Sequence, residues 1–250
     1  MWGIIPAAGS GSRIQPLAFS KELLPVGSRM QDNRERPRAV SEYLIDRMEV
    51  AGVTKICMVI SSAKSDIIRY YGPGSPEVRF CYCVQQQPSG LCDAIFQALP
   101  FINDYEHVIV GLPDTIWFPE NGLRALPDNV LSFLLFPVAH PEFYDAVETD
   151  REGTVGKIKV KEMEITTNWV WGAFKIPGSV LRELFTIWKR RECRDEYFGT
   201  LVNAYLSEGG SAKGIPEGDS YVDVGTLNGY REALKLLQDR AGKHLPMEVR

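Results

Sequence analysis

Two fixed positive charges, Arg13 and Lys21, follow closely on a loop of small residues, Ala7-Ala8-Gly9-Ser10-Gly11-Ser12. With no bulky side chains in the way, the backbone N–H groups of Ala8, Gly9, Ser10 and Gly11 can turn inward around an anion. The glycines can take the positive φ that such a turn needs. An Arg directly after the loop and a Lys eight residues further on add donors from other directions, which suits the several charges of a triphosphate. A third candidate lies far along the chain. Val108 to Gly111 is an apolar run followed by Leu112-Pro113-Asp114, and a carboxylate just past a buried strand's C-terminal end is well placed to hold a divalent cation. Each feature also has a plainer reading: Gly9 and Gly11 suit any tight strand-to-helix turn, and Asp114 suits a turn after proline.

The elements that must position these groups alternate between strand and helix. Strands are expected at residues 3–6, 55–60, 79–84, 107–111 and 132–138, and helices at 40–51 and 92–99. That alternation implies an α/β fold with a mixed, mostly parallel, Rossmann-like sheet flanked by helices in three layers. Right-handed crossovers then bring the loops after Pro6, Val84 and Gly111 to one sheet edge, where ligands bind in open α/β sheets. Beyond Val138 the pattern predicts strands at 154–161 and 169–176 and helices at 179–190, 196–206 and 228–239. One domain over residues 1–250 is expected, with a nucleotide-binding half (1–138), a second half (139–227), and a C-terminal helix and tail (228–250). The segment from Gln31 to Arg38 is a polar, strongly basic insertion, read as a solvated loop; Arg34, Arg36 and Arg38 could alternatively serve a phosphate or effector site.

Composition removes several function classes. A net charge of −4 and a pI near 5.5 argue against a nucleic-acid-binding or anionic-membrane-binding surface. No apolar stretch reaches the ~20 residues of a membrane span, and the N-terminus lacks a secretory pattern, so a cytoplasmic protein is expected. The five cysteines are odd in number and read as free thiols; Cys81-Tyr82-Cys83 has the wrong spacing for a zinc knuckle. A P-loop would require Gly-Lys-Ser/Thr where Ser12-Arg13-Ile14 stands. A dinucleotide fingerprint would require a third glycine where Ile14 stands.

Taken as one stretch, Gly9, Gly11, Arg13, Pro16, Lys21 and Leu23-Leu24-Pro25-Val26 resemble the signature of the sugar-1-phosphate nucleotidyltransferases, also called nucleoside-diphosphate-sugar pyrophosphorylases. Three later segments are similar to that family's motifs, in the family's order. Gln87-Pro88-Ser89-Gly90-Leu91 matches a segment that reads the nucleobase edge, which implies that Gln87 and Gly90 contact the base. A Gln amide offers both a donor and an acceptor to a pyrimidine, while thymine and uracil differ only by a methyl. Leu112-Pro113-Asp114 and Asp223-Val224-Gly225-Thr226 match the two metal-binding segments, so the resemblance implies that Asp114 and Asp223 hold Mg²⁺.

For the sugar phosphate the resemblance points to Tyr144, Asp145, Lys161, Trp171 and Gly172. Asp145 stands where the family has a glycine, and Val160 stands where it has a glutamate before the lysine. The implied reaction joins a nucleoside triphosphate, dTTP or UTP by preference, to a sugar 1-phosphate, glucose 1-phosphate by default, with release of pyrophosphate. Arg13 and Lys21 would steady the phosphates during in-line attack. The alternatives are a catalytically silent nucleotide- or NDP-sugar-sensing subunit, motivated by Asp145 and Val160, and a phosphocholine-type cytidylyltransferase. A homo-oligomer remains open.

Overall fold

Ile4 and Ile5 are neighbours in sequence, point to opposite faces of a strand, and are both fully buried. The first strand, β1 (Trp2–Pro6), therefore lies at the centre of a sheet covered on both sides. The computed structural model describes residues 1–87 and 89–244, with side chains through residue 240. After β1 come the small-residue loop, a short 3₁₀ turn at Lys21–Leu23, β2 (Pro25–Gln31), β3 (Arg34–Ala39), α1 (Val40–Val50), β4 (Lys55–Ile60), α2 (Ser65–Tyr71), β5 (Arg79–Val84), α3 (Gly90–Phe96), β6 (His107–Gly111) and β7 (Thr115–Phe118). The second half carries β8 (Leu131–Pro137), β9 (Asp145–Thr149), β10 (Val155–Val160), β11 (Trp169–Pro177), α4 (Gly178–Arg190), α5 (Phe198–Ser207), β12 (Ala212–Ile215), β13 (Ser220–Asp223) and α6 (Leu227–His244).

Seven strands run in the order β10-β9-β11-β6-β1-β4-β5, and β8 and β12 complete the sheet beside β11. Around β1 the pairing is parallel, with β4 and β6 on its two sides and β5 beyond β4. β11 then runs antiparallel to β6, β8 and β9, so the sheet is mixed. One face packs Ile4, Cys57, Val59, Val108 and Val110 against α3, α4 and α5. The other packs Ile5, Ile56, Met58 and Ile109 against Leu44, Ile45 and Met48 of α1. This is the three-layer α/β/α arrangement expected from the alternation. α6 closes a third, smaller cluster with Val26, Val40, Ile116 and Val224.

Three central strands, β4, β5 and β6, fall on the expected residues; β1, β8, β10, β11, α1, α4 and α5 differ by a residue or two at their ends, α3 and α6 by up to three and five, and β2, β3, β7, β9, β12, β13 and α2 were not expected. The basic segment at 31–38 differs from expectation. It is the turn and second strand of a β-hairpin, turning at Asp32 (φ 51°) and Asn33 (φ 59°). Two consecutive positive-φ residues match the twist of flanking strands, and Asp and Asn tolerate that conformation. Arg38 lies over the Tyr43 ring, 3.7 Å from its centre, and pairs with Asp46, so that arginine belongs to the hairpin's own anchorage on α1. Among the described residues no helix is long and apolar enough to cross a membrane. The tail beyond His244, and Pro88 of the Gln87-to-Leu91 segment, lie outside the described residues.

Candidate active site

β1, β4, β5 and β6 run parallel, so the loops that follow them emerge at one edge. The small-residue loop follows β1, and Gly11 takes φ +66°. The aliphatic stem of Lys21 lies so close that a Cβ on Gly11 would come within 2.7 Å of its Cδ. Lys21 thereby passes beneath the loop and donates from Nζ to Asp114 Oδ2 at 2.5 Å. Burial alone would lower its pKa, but the Asp114 charge and hydrogen bond outweigh that, and the ammonium is raised above its ordinary value.

Asp223 reaches the same point by a different route. β13 pairs antiparallel with β7, which puts Asp223 opposite Thr115, the residue after Asp114. Val224 N–H donates to the Asp114 carbonyl at 2.8 Å, and Gly225 N–H to Asp223 Oδ1 at 2.7 Å. Arg13 donates to Asp223 Oδ2 at 3.0 Å while its side chain stays 61% exposed. Three of these residues gather at one point, and Lys21 joins them through Asp114. A Cβ on Gly225 would lie 2.8 Å from Asp223 Oδ1, 3.0 Å from Arg13 Nη2 and 3.2 Å from Asp114 Oδ2. Asp223 does not cap α6; Thr226 does, its Oγ1 accepting from Gly229 N–H at 3.0 Å. Among the described residues no group of three or more His, Cys, Asp or Glu side chains could hold a metal by itself. Two hard carboxylates nevertheless fit Mg²⁺, which ordinarily completes its shell with water and phosphate oxygens.

Next to this cluster opens a cavity of about 870 Å³, lined by Arg13, Tyr144, Lys161, Tyr221, Asp223 and Glu232 among others. Tyr144 meets Tyr221 edge-on at 5.7 Å, and burial followed by the charge of Asp223 raises both phenols. Lys161 sits in the left-handed region at φ 50° and donates from Nζ to the Tyr197 hydroxyl at 2.8 Å. Its neighbours in the sequence-derived set lie behind the cavity wall. Asp145 and Val160 are cross-strand partners, and both meet the N-terminus of α5: a Cβ on Gly199 would come within 2.7 Å of Val160 Cγ2 and 3.2 Å of Asp145 Oδ2. The two departures from the family pattern thus share one packed contact with the N-terminus of α5. Burial pushes the Asp145 carboxyl up to about 6, with the nearby Trp171 indole and Lys161 opposing it. Trp171 itself is 6% exposed and packs with Phe133, Phe174 and Phe198, and Gly172 lies behind Tyr221 and Phe136. Trp171, to which the resemblance points for the sugar phosphate, is thus a core residue.

In the segment for which the resemblance implies base contact, Gln87 is exposed on the loop after β5, and Gly90 takes φ +89° at the start of α3. The glutamine pinned at the strand end is Gln85, which is 3% exposed and donates its amide N–H to Asp93. Sequence reasoning passed over Gln85 in favour of the longer motif match at Gln87. The available signal was position, because Gln85 follows directly on Val84, the last residue of β5.

The chain belongs to the nucleotidyl transferase family, whose sequence profile matches residues 2–240. That confirms, at the level of the family, the resemblance to sugar-1-phosphate nucleotidyltransferases read from the sequence, and the protein is an enzyme of the nucleotidyltransferase class. It is 29% identical over 245 residues to a glucose-1-phosphate thymidylyltransferase of Mycolicibacterium smegmatis, covering 93% of this chain and 81% of the relative. Its fold matches a solved Bacillus anthracis chain assigned as a glucose-1-phosphate thymidylyltransferase, with TM-score 0.79, 23% identity and 95% of each chain covered. A UDP-glucose pyrophosphorylase from Acinetobacter baumannii superposes with TM-score 0.76 at 19% identity, over 93% of this chain and 91% of that one.

Proposed function

We propose that this enzyme joins dTTP or UTP to a sugar 1-phosphate, glucose 1-phosphate first among candidates, giving an NDP-sugar and pyrophosphate. The observation that carries the reading is the meeting of Arg13, Asp114 and Asp223 around Gly225, with Lys21 held on Asp114, at the edge where the phosphate loop emerges. A phosphate oxygen of the sugar 1-phosphate attacks the α-phosphorus in line. The new P–O bond forms as the bond to the β-phosphate oxygen breaks, and the electron pair leaves with pyrophosphate. No side-chain nucleophile is required, so the protein contributes alignment and charge neutralisation.

Asp114 and Asp223 would hold Mg²⁺, which when bound supplies neutralising charge and a template for the two phosphates. Arg13, largely exposed beside Asp223, is free to swing onto the leaving pyrophosphate. Lys21 faces the α-phosphate region from beneath the loop, and Lys161 orients the attacking phosphate from the cavity. Gly90 brings bare backbone to the base, with Gln85 or Gln87 reading its edge. The names of the relatives support thymidylyl or uridylyl transfer and glucose as the sugar. We place the reaction in the cytoplasm, where both substrates occur. The test is a grid of nucleoside triphosphates against sugar 1-phosphates with Mg²⁺, with product masses measured. An NDP-sugar from one pairing supports the reading; none from any pairing, in protein that still binds nucleotide, favours a sensing subunit.

A further inference from the structure

Lys64 is 7% exposed, and Glu22 is fully buried. Charged side chains are seldom buried unless paired, and this pair is fully partnered. Lys64 Nζ donates to Glu22 Oε1 at 2.7 Å, to Glu22 Oε2 at 2.9 Å and to the Ala7 carbonyl at 2.7 Å. Those three acceptors match the three donors of an ammonium. Burial raises the Glu22 carboxyl, with Lys64 pulling the other way, as expected for a pair held out of water. Two residues further on, Asp66 accepts from Ser20 N–H at 2.7 Å and from Ser20 Oγ at 2.6 Å.

The geometry gives these contacts one target. Ser20 and Glu22 flank Lys21, and both are gripped by the short run Lys64-Ser65-Asp66 where the chain enters α2. The same Lys64 also holds Ala7, the first residue of the phosphate loop. Neither Lys64 nor Glu22 lines the cavity shared by Arg13, Lys161 and Asp223. A buried ion pair is weak evidence of stability, because apolar residues of like volume commonly replace one without loss. What this pair adds is a directional grip, three hydrogen bonds that tie Lys64 to both Glu22 and the Ala7 carbonyl.

We propose that Lys64, Glu22 and Asp66 are positioning residues for the transfer reaction, locking Lys21 and the phosphate loop at a set separation before substrate arrives. This rests on the reaction proposed above. Removing the lock leaves Lys21 present but free to wander, and misplacement on the scale of an ångström costs about 100-fold in rate.

The experiment compares Glu22→Met/Lys64→Met, Asp66→Asn and, as a control, Lys175→Met. Lys175 is a buried lysine of β11 paired with Asp128, away from the loop. Thermal denaturation, kcat, and KM for each substrate are measured for every variant, together with the Kd for dTTP and UTP. The double variant is expected to melt near the wild type but to lose about 30- to 100-fold in kcat, with nucleotide Kd weakened about tenfold. Lys175→Met is expected to melt lower and turn over normally. A double variant with wild-type kcat and Kd overturns the proposal. Should it fail to fold, Asp66→Asn decides: a fall of about fivefold or more in kcat at unchanged melting temperature supports the lock, and normal turnover refutes it. If the wild type turns over no substrate pair, the reaction proposed above fails, and the nucleotide Kd values still judge the lock.

Discussion

Gly225→Ala places one methyl group at the point where both carboxylates and Arg13 converge. Gly225 has no positive φ to forbid alanine, so the effect is one of contact alone. The new Cβ would stand 2.8 Å from Asp223 Oδ1 and 3.2 Å from Asp114 Oδ2, where ordinary contact begins at 3.4 Å. Restoring contact pushes the Asp223 oxygen back by roughly 0.6 Å and that of Asp114 by roughly 0.2 Å. Overpacking on this scale costs about 1–3 kcal/mol in a tight core, and less here because Arg13 and the cavity are open to solvent. A carboxylate pair displaced by half an ångström loses alignment with the substrate phosphates, for which about 30- to 100-fold in kcat is expected. Pyrophosphate release at saturating Mg²⁺, run beside a thermal melt, reads both effects. Asp223→Asn, which removes a carboxylate without adding bulk, should lose more activity than Gly225→Ala. A Gly225→Ala enzyme within threefold of the wild-type rate would refute the view that this point is the metal and phosphate centre.

Two further predictions follow from the wall of the cavity. Asp145 titrates near 6 in the folded chain, above its ordinary 3.8, because burial disfavours its charge. The folded state therefore binds more protons than the unfolded state between about pH 4 and 6, and stability falls as pH rises through that window. Asp145→Asn should remove that slope in urea denaturation and raise neutral-pH stability by about 1–2 kcal/mol, after a discount for the side chain's partial exposure; an unchanged slope would contradict the assignment. Trp171→Ala should cost about 3–5 kcal/mol in denaturation experiments through loss of packing against Phe133, Phe174 and Phe198, while the KM for sugar phosphate in the surviving folded enzyme stays near wild type. A selective rise in that KM with little loss of stability would return Trp171 to the sugar site.

The parallel core was legible because each of its strands is an apolar run bounded by Gly, Pro or polar residues, and such runs fill a sheet covered on both faces. The hairpin of β2 and β3 was not. Its strands are polar and mostly exposed, so no hydrophobic alternation marks them, and only Asp32-Asn33 signals the turn. β7 and β13 escaped because strands of four residues carry too little pattern, yet their pairing is what delivers Asp223 to Asp114 across more than a hundred residues. The charged centre itself was readable from motif order at Arg13, Lys21, Asp114 and Asp223. The buried lock at Lys64 was not, since a lysine in a polar turn looks solvated until the fold shows its acceptors. Asp145 and Val160 stood out as departures, but their shared contact with Gly199 depends on how α5 packs against β9 and β10.

The reverse reaction tests the central claim most directly. Purified enzyme is given dTDP-glucose or UDP-glucose with pyrophosphate, and formation of the triphosphate is followed with and without Mg²⁺. Formation of dTTP or UTP together with glucose 1-phosphate, dependent on Mg²⁺ and lost in Asp223→Asn, is the expected result. Folded, nucleotide-binding protein that forms no triphosphate from either NDP-sugar, or that forms it equally well in Asp223→Asn, would contradict it.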